Sequence, residues 1–409
     1  MHKTVFFIKK FDFLIGIILF SFLFRLITVY FFRDNHLDNE WQILVNNLIS
    51  YKSYSFYTFD NQIIPSAYMP PLYAFLIYSV KIITFFEETN LVYSIIFLQI
   101  LLSVYSVYLF YQINQSFFSQ KLSLINSFIF SIVPLNIYSC GQISSINLQI
   151  FLSLLFLKFL ILLIKKEEIR NIIFFSITSG LLILTRGEFL LIFILIVLFI
   201  LYRKKIAFNS FIKILIIVLL IISPYVTRNY INFNQIFVVK SLGYNLWKGN
   251  NELSQVEGYE NLKKSEFNKL YDEINNINKD KLYEIKRDKV FLEEAIYNIT
   301  NNPLYYFKQF VKKFISYYFI DIKSNYPSYY NFFHVIPIFL ISLLSFPGLF
   351  TFFKTNQFER KCLGLYIFLN IFIFSIFFIL PRYKLIILPM QIILASNFIT
   401  YMLKKYAPK

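Results

Sequence analysis

The sequence is short of most things a water-soluble chain of its size carries. Charged residues make up only 15% of its 409 positions, against about 25% in a soluble domain. Cysteine occurs twice, at Cys140 and Cys362, at the ends of different apolar runs, which excludes a disulfide framework or a thiolate metal site. The histidines, His2, His36 and His334, are too scattered for an HExxH motif or a histidine cluster. Neither an internal repeat nor a low-complexity tail is present, and the inverted symmetry of many transporters is not visible. What is abundant is apolar: 57% hydrophobic and 21% aromatic residues, in repeated runs near the roughly 20 residues that cross a bilayer. The chain therefore reads as an all-α polytopic membrane protein. Its formal charge of +17 would suggest nucleic acid in a soluble protein. Here the bases cluster between apolar runs, so they are topology signals and no nucleic-acid partner is expected. The abundance of Phe, Ile, Lys, Asn and Tyr matches an AT-rich coding bias, so aromatic richness alone carries little functional weight.

Lys3, Lys9 and Lys10 precede the first apolar run, about Phe11 to Phe32, and set the N-terminus in the cytoplasm by the positive-inside rule. That run is too long for a signal-peptide core, with no small-residue cleavage site after it, and reads as a retained span. It leaves the membrane near Arg33 into a polar and aromatic loop, Asp34 to Pro71, longer than a simple connector needs. Pro71 to Phe86 is apolar but short and contains Lys81. If it crossed, Lys121, Lys165-Lys166 and Arg203 to Lys205 would fall outside; kept at the outer surface, it leaves them inside, as the charge rule prefers. Further spans are expected at about 91–111, 121–138, 148–164, 171–185, 188–202 and 209–226, and then at 332–353, 361–380 and 385–402, ten in all. The expected division is a seven-span module over 1–227 with the external loop 33–90, an external and mostly helical region over 228–330, and three spans over 331–409. Helices are expected at 264–299 and 303–319. In the latter, Tyr306, Phe307, Phe310 and Phe314 alternate with Lys308, Lys312 and Lys313 as in a helix lying at the membrane interface. Lys158 is the clearest charge inside a span and lies close enough to the inner end to snorkel.

Several segments could carry chemistry. Asp38-Asn39-Glu40-Trp41 places two carboxylates two positions apart in the first external loop; such a pair can ligate a divalent cation, or one member can act as a general base. A solvated loop is the ordinary reading of a lone pair. Ser66 to Tyr73 (SAYMPPLY) carries two prolines before an apolar stretch, which by itself is a helix start. Thr185-Arg186-Gly187-Glu188 joins two apolar runs at the outer edge, where Arg186 must pair with Glu188, snorkel or face water. Arg228 closes span seven ahead of Leu242 to Asn251 (LGYNLWKGNN), and Pro381-Arg382-Tyr383-Lys384 closes span nine. Three arginines and a lysine thus gather on the face where topology disfavours bases. That excess calls for a counter-charge, and a lipid phosphate supplies oxygens that Arg and Lys bind by charge-assisted hydrogen bonds.

The ordered set Asp38/Glu40, Pro70-Pro71, Thr185-Arg186, Pro224 to Tyr230 with Trp247 to Asn251, Asn302-Pro303 and Arg382-Tyr383 runs over nearly the whole chain. It resembles the bacterial members of the dolichyl-phosphate-mannose protein mannosyltransferase-like family, which have the multi-span GT-C glycosyltransferase fold and include the aminoarabinose transferases that modify lipid A. The resemblance implies inverting transfer of one sugar from a polyprenyl-phosphate carrier to a lipid, glycan or protein acceptor. It implies an inner-membrane enzyme whose active site faces the periplasm or exterior. It further implies that Asp38 is the catalytic base. The acidic pair here is Asp-x-Glu where many relatives have adjacent Asp-Glu, the position after Pro-Pro lacks the basic residue of some branches, and Gly187 follows Arg186 where proline is common.

The expected site therefore comprises Asp38 as base, Glu40 for the acceptor or a divalent cation, and Arg382, Arg186, Arg228 and Lys384 for the donor phosphate, with Tyr68, Trp247 and Tyr383 against sugar faces. No other cofactor is expected. The rival from another class is a transporter or flippase of lipid-linked sugar, which would also need outward bases and a membrane groove. It predicts polar residues in mid-span and broken helices in both halves.

Overall fold

The computed structural model describes residues 2–37, 39–59, 62–84, 88–324, 326, 329–354 and 357–406. Each expected span is helical. The first is part of His2–Phe32; the next six are Glu88–Asn114, Gln120–Ile132 with Pro134–Tyr138, Ile146–Lys165, Ile169–Thr185, Phe189–Tyr202 and Phe208–Phe233; the last three are Phe332–Phe353, Phe358–Ile376 and Leu388–Tyr406. Five of the described helices are each long and apolar enough to cross a bilayer, and a sixth span arises if the pair Gln120–Ile132 and Pro134–Gly141, bent by 60°, is counted as one. Val133 is extended and Pro134 follows it, so the break has an ordinary cause. Phe358–Ile376 and Leu388–Tyr406 are more polar because they face protein: Asn370 and Gln391 are buried, and Gln391 Nε2 donates to the Tyr318 carbonyl at 2.8 Å. In the first helix Arg25 is a second charge inside a span. It is fully buried and donates to Ser103 Oγ (2.9 Å), Ser21 Oγ (2.5 Å) and the Ser131 carbonyl (3.1 Å).

The loop after the first helix is ordered by its own apolar pattern. In the helix Asn39–Tyr51, Trp41, Leu44, Val45 and Leu48 are buried at the i, i+3, i+4, i+7 spacing of an amphipathic helix. A short antiparallel hairpin, Ser55–Phe59 with Gln62–Pro65, follows; the alternation that would announce it is too brief to stand out in the sequence. The helix Pro71–Thr84 has 14 residues, about 21 Å of rise against a hydrocarbon core of about 30 Å. Its buried face, Tyr73, Ala74 and Ile77, packs on the bundle, with Tyr73 donating to Gln99 Oε1 at 2.9 Å.

Beyond Phe208–Phe233 lie the helices Leu242–Gly249, Asn268–Asn275, Tyr283–Asn301 and Pro303–Tyr318. The single helix expected over 264–299 is two, because Asp280 offers its carboxylate to the Leu282 N–H (2.8 Å) and to Lys286 (2.6 Å) and so starts a new helix. The helix after Asn302 forms as expected, but only Lys308 and Lys312 are exposed on it. Lys313 is buried and donates to the Gly249 carbonyl (3.1 Å), Asn250 Oδ1 (3.3 Å) and the Phe377 carbonyl (2.5 Å). Burial pushes its ammonium down to about 7.

Candidate functional site

The turn Ser66-Ala67-Tyr68 is gripped from two sides. Arg228, near the C-terminal end of Phe208–Phe233, donates to the Ser66 carbonyl at 2.6 Å and the Tyr54 carbonyl at 2.8 Å. From Tyr283–Asn301, Glu284 accepts the Ser66 hydroxyl at 2.8 Å and the Ala67 N–H at 2.5 Å. Burial raises the Glu284 carboxyl, opposed by those hydrogen bonds. The Lys240 N–H donates to the Ala67 carbonyl at 2.8 Å. The polar groups of Ser66 and Ala67 are thereby committed, and Tyr68 lines a cavity of ≈ 1080 Å³.

That cavity gathers groups from distant parts of the chain: Glu40 and Tyr68 from the first loop, Arg186 and Glu188 from the joint between two spans, and Arg382 and Tyr383 from the joint near the C-terminal end. The Arg186 guanidinium stacks 4.0 Å from the Tyr383 ring centroid and 4.7 Å from that of Phe374, with Nε 3.9 Å from Glu188. Arg382 approaches Tyr383 at 6.0 Å. On another side the wall is apolar: Leu191 and Ile194, 48% and 38% exposed, belong to the outward face of Phe189–Tyr202. One cavity thus joins two guanidinium groups to a surface suited to lipid chains.

The other expected residues lie elsewhere. Asp38 is outside the described residues. Lys384 does not reach the cavity wall; it is buried and donates to the carbonyls of Tyr317, Tyr318 and Phe319, capping the C-terminal end of Pro303–Tyr318. Arg228 is spent on the Ser66 turn. Trp247 is fully buried between Phe291 (4.9 Å) and Phe267 (5.3 Å). Lys384 and Arg228 thus hold backbone carbonyls and Trp247 packs in a core, and none of the three lines the cavity. Sidedness alone cannot tell a base that faces a ligand from one that meets backbone carbonyls.

Glu257 carries no motif in the sequence. Glu257 lines the cavity and accepts the Ser324 hydroxyl; burial, with Asp321 nearby, pushes its carboxyl up to about 7. The LGYNLWKGNN segment docks on the end of Phe358–Ile376: Asn250 Nδ2 donates to the Ile376 carbonyl at 2.9 Å, and a Cβ on Gly249 would collide with the Phe377 carbonyl. Among the described residues no three His, Cys, Asp or Glu side chains group to hold a metal ion, so a cation at Glu40 would have to draw on Asp38.

The chain matches no protein-family model and no curated protein. Solved structures do match. The Archaeoglobus fulgidus oligosaccharyltransferase tethered with an acceptor peptide aligns with a TM-score of 0.59 at 13% identity, over 96% of this chain and 50% of that one. The archaeal oligosaccharyltransferase AglB from the same organism, in complex with an inhibitory peptide and a dolichol-phosphate, aligns at 0.57 and 14% identity, over 96% and 50%. ArnT from Cupriavidus metallidurans in the apo state aligns at 0.52 and 11%, over 98% of this chain and 60% of that one. This chain spans between 50% and 60% of the length of these structures. The likeness fixes the architecture: the chain is a multi-pass membrane protein with the GT-C glycosyltransferase fold.

Proposed function

We propose that this chain transfers a single sugar from a polyprenyl-phosphate donor to an acceptor hydroxyl on the external side of the inner membrane. The observation that carries this reading is the cavity in which Arg186 and Arg382 meet an apolar wall formed by Leu191 and Ile194. A donor with a phosphate between a sugar and a prenyl chain needs both surfaces in one place. The division into a seven-span module, an external region and three C-terminal spans then places loop 33–90 and region 228–330 as the roof of the site. The acceptor oxygen attacks the anomeric carbon, the bond from that carbon to the phosphate oxygen breaks, and the acceptor proton passes to Asp38. Polyprenyl phosphate leaves as a monoester dianion, so no general acid is needed. Arg382 and Arg186 meet the charge that grows on it, and Tyr68 and Tyr383 supply aromatic faces to the sugar. Configuration inverts because one displacement occurs. Glu40 orients the acceptor or shares a divalent cation with Asp38.

The rival flippase reading predicts broken spans in both halves; among the described residues one bent pair occurs, in the N-terminal half. The experiment that separates the two uses purified protein in detergent, with no sealed compartment, and radiolabelled lipid-linked sugar. A transferase consumes donor and forms glycosylated acceptor there. Absence of product alongside lipid translocation in reconstituted vesicles would establish the rival.

A further inference from the structure

A second polar cluster faces the same cavity. Tyr244 and Lys248 are one turn apart on the helix Leu242–Gly249, and both donate to a single oxygen of Glu260, each at 2.5 Å to Oε2. Glu260 arrives on a loop that is closed independently of this contact. The Tyr259 N–H and the Ser254 hydroxyl both donate to the Lys248 carbonyl at 2.8 Å, and Asn251 Nδ2 donates to the carbonyls of Trp247 (3.1 Å) and Tyr259 (2.7 Å). Gly258 sits at φ +78°, where a side chain would be strained and would also meet the Lys248 carbonyl.

The cluster is therefore held in place without contributing much to holding the loop. The Glu260 side chain is 53% exposed, and an ion pair so open to solvent adds little stability. Glu260 Oε1 makes no hydrogen bond to the described residues, and Lys248 uses one of its three ammonium protons on Glu260. A fixed acceptor and a fixed charged donor side by side match a sugar hydroxyl, which both donates and accepts, and match a vicinal pair of hydroxyls better still. Tyr68, edge-on to Tyr244 at 5.7 Å, adds an aromatic face. Lys248 lies 4.8 Å from the Phe378 ring, which is 6.3 Å from Tyr383, the ring that carries Arg186. Two rings thus separate the cluster from the guanidinium assigned to the phosphate, along the wall of one cavity.

We infer that Tyr244, Lys248 and Glu260 form a subsite that reads the hydroxyl groups of the transferred sugar and sets which sugar is accepted. The inference rests on the proposed function. Its test is binding of two kinds of lipid to the full chain in detergent: undecaprenyl phosphate without a sugar, and a panel of synthetic undecaprenyl-phosphate pentoses and hexoses. In Glu260→Gln and Tyr244→Phe, sugar-free lipid should bind as to wild type. The sugar lipid bound best by the wild type should weaken about tenfold, and discrimination across the panel should flatten. Equal weakening for sugar-free and sugar-bearing lipids, or an unchanged order of preference in both variants, would overturn the subsite. Wild-type protein that binds the sugar-free lipid as tightly as every sugar lipid would overturn it too, with the proposed function intact. Wild-type protein that binds none of the lipids sinks the proposed function and the subsite with it. Thermal unfolding of each variant at the wild-type temperature confirms that the loop is folded, and Tyr244→Phe keeps its ring if Glu260→Gln does not express.

Discussion

The guanidinium carbon of Arg186 lies over the ring of Tyr383, 4.0 Å from its centroid, so that two residues nearly two hundred positions apart form one wall of the cavity. A planar guanidinium over an aromatic ring is held by its face and binds a phosphate through its N–H edge. Lysine cannot reproduce this. Arg186→Lys and Arg382→Lys should each leave detergent stability unchanged and weaken transfer at least about tenfold, roughly 1.4 kcal/mol in the transition state. Steady-state kinetics with a fixed donor decides the matter, and wild-type turnover in both lysine variants would remove the phosphate clamp.

Asp38→Asn keeps the side-chain size and removes the base, so transfer should fall by about a hundredfold or more while donor binding survives. Activity retained there but lost in Glu40→Gln would move the base to Glu40. Inhibition of the wild type by a chelator, reversed by added cation, would make the pair a metal site.

Lys384 is expected to matter for the fold and not for the donor. Lys384→Met removes one donor from the carbonyls of Tyr317, Tyr318 and Phe319, and leaves Tyr318 with Gln391 Nε2 and Phe319 with the Ser342 hydroxyl. The loss should be about 1–3 kcal/mol, read as a lower unfolding temperature in detergent with undecaprenyl phosphate affinity unaltered. A stable variant with weakened lipid binding would return Lys384 to the phosphate site.

Glu257 imposes a pH dependence. Its carboxyl is raised from 4.5 to about 7 in the folded chain, so the fold favours its protonated form. This contribution to stability is fully present below pH 4.5 and is lost as pH rises through about 7. Glu257→Gln should therefore be stabilised relative to wild type at pH 8, with the difference shrinking towards pH 5 in thermal scans. A constant difference across that range would show that Glu257 titrates normally.

The positive-inside rule predicts that Gln120, at the start of Gln120–Ile132, lies on the cytoplasmic side. Both native cysteines are buried, so Gln120→Cys gives a clean probe. An impermeant thiol reagent applied from outside should leave it unlabelled; efficient labelling would invert every loop up to the external region.

The helices of the bundle were readable along the chain because lipid demands long apolar runs with internally satisfied backbones, and because loop lysines and arginines carry the sidedness. Arg186 and Arg382 could be named for the same reason, since each breaks an apolar pattern, whereas Glu40 and Tyr68 were marked by the long polar loop that holds them. Tertiary structure alone decided which of these polar residues share a cavity. Arg228 and Lys384 have the same sidedness as Arg382, yet one grips the Ser66 turn and the other caps a helix end. Trp247, set in the LGYNLWKGNN segment, proved to be core, and that segment delivers Lys248 and Tyr244 to Glu260 instead. A cation does equally well against a phosphate or against a row of carbonyls, and local sequence states neither partner. Packing makes that choice, by determining which backbone groups are left unpaired beside each charge.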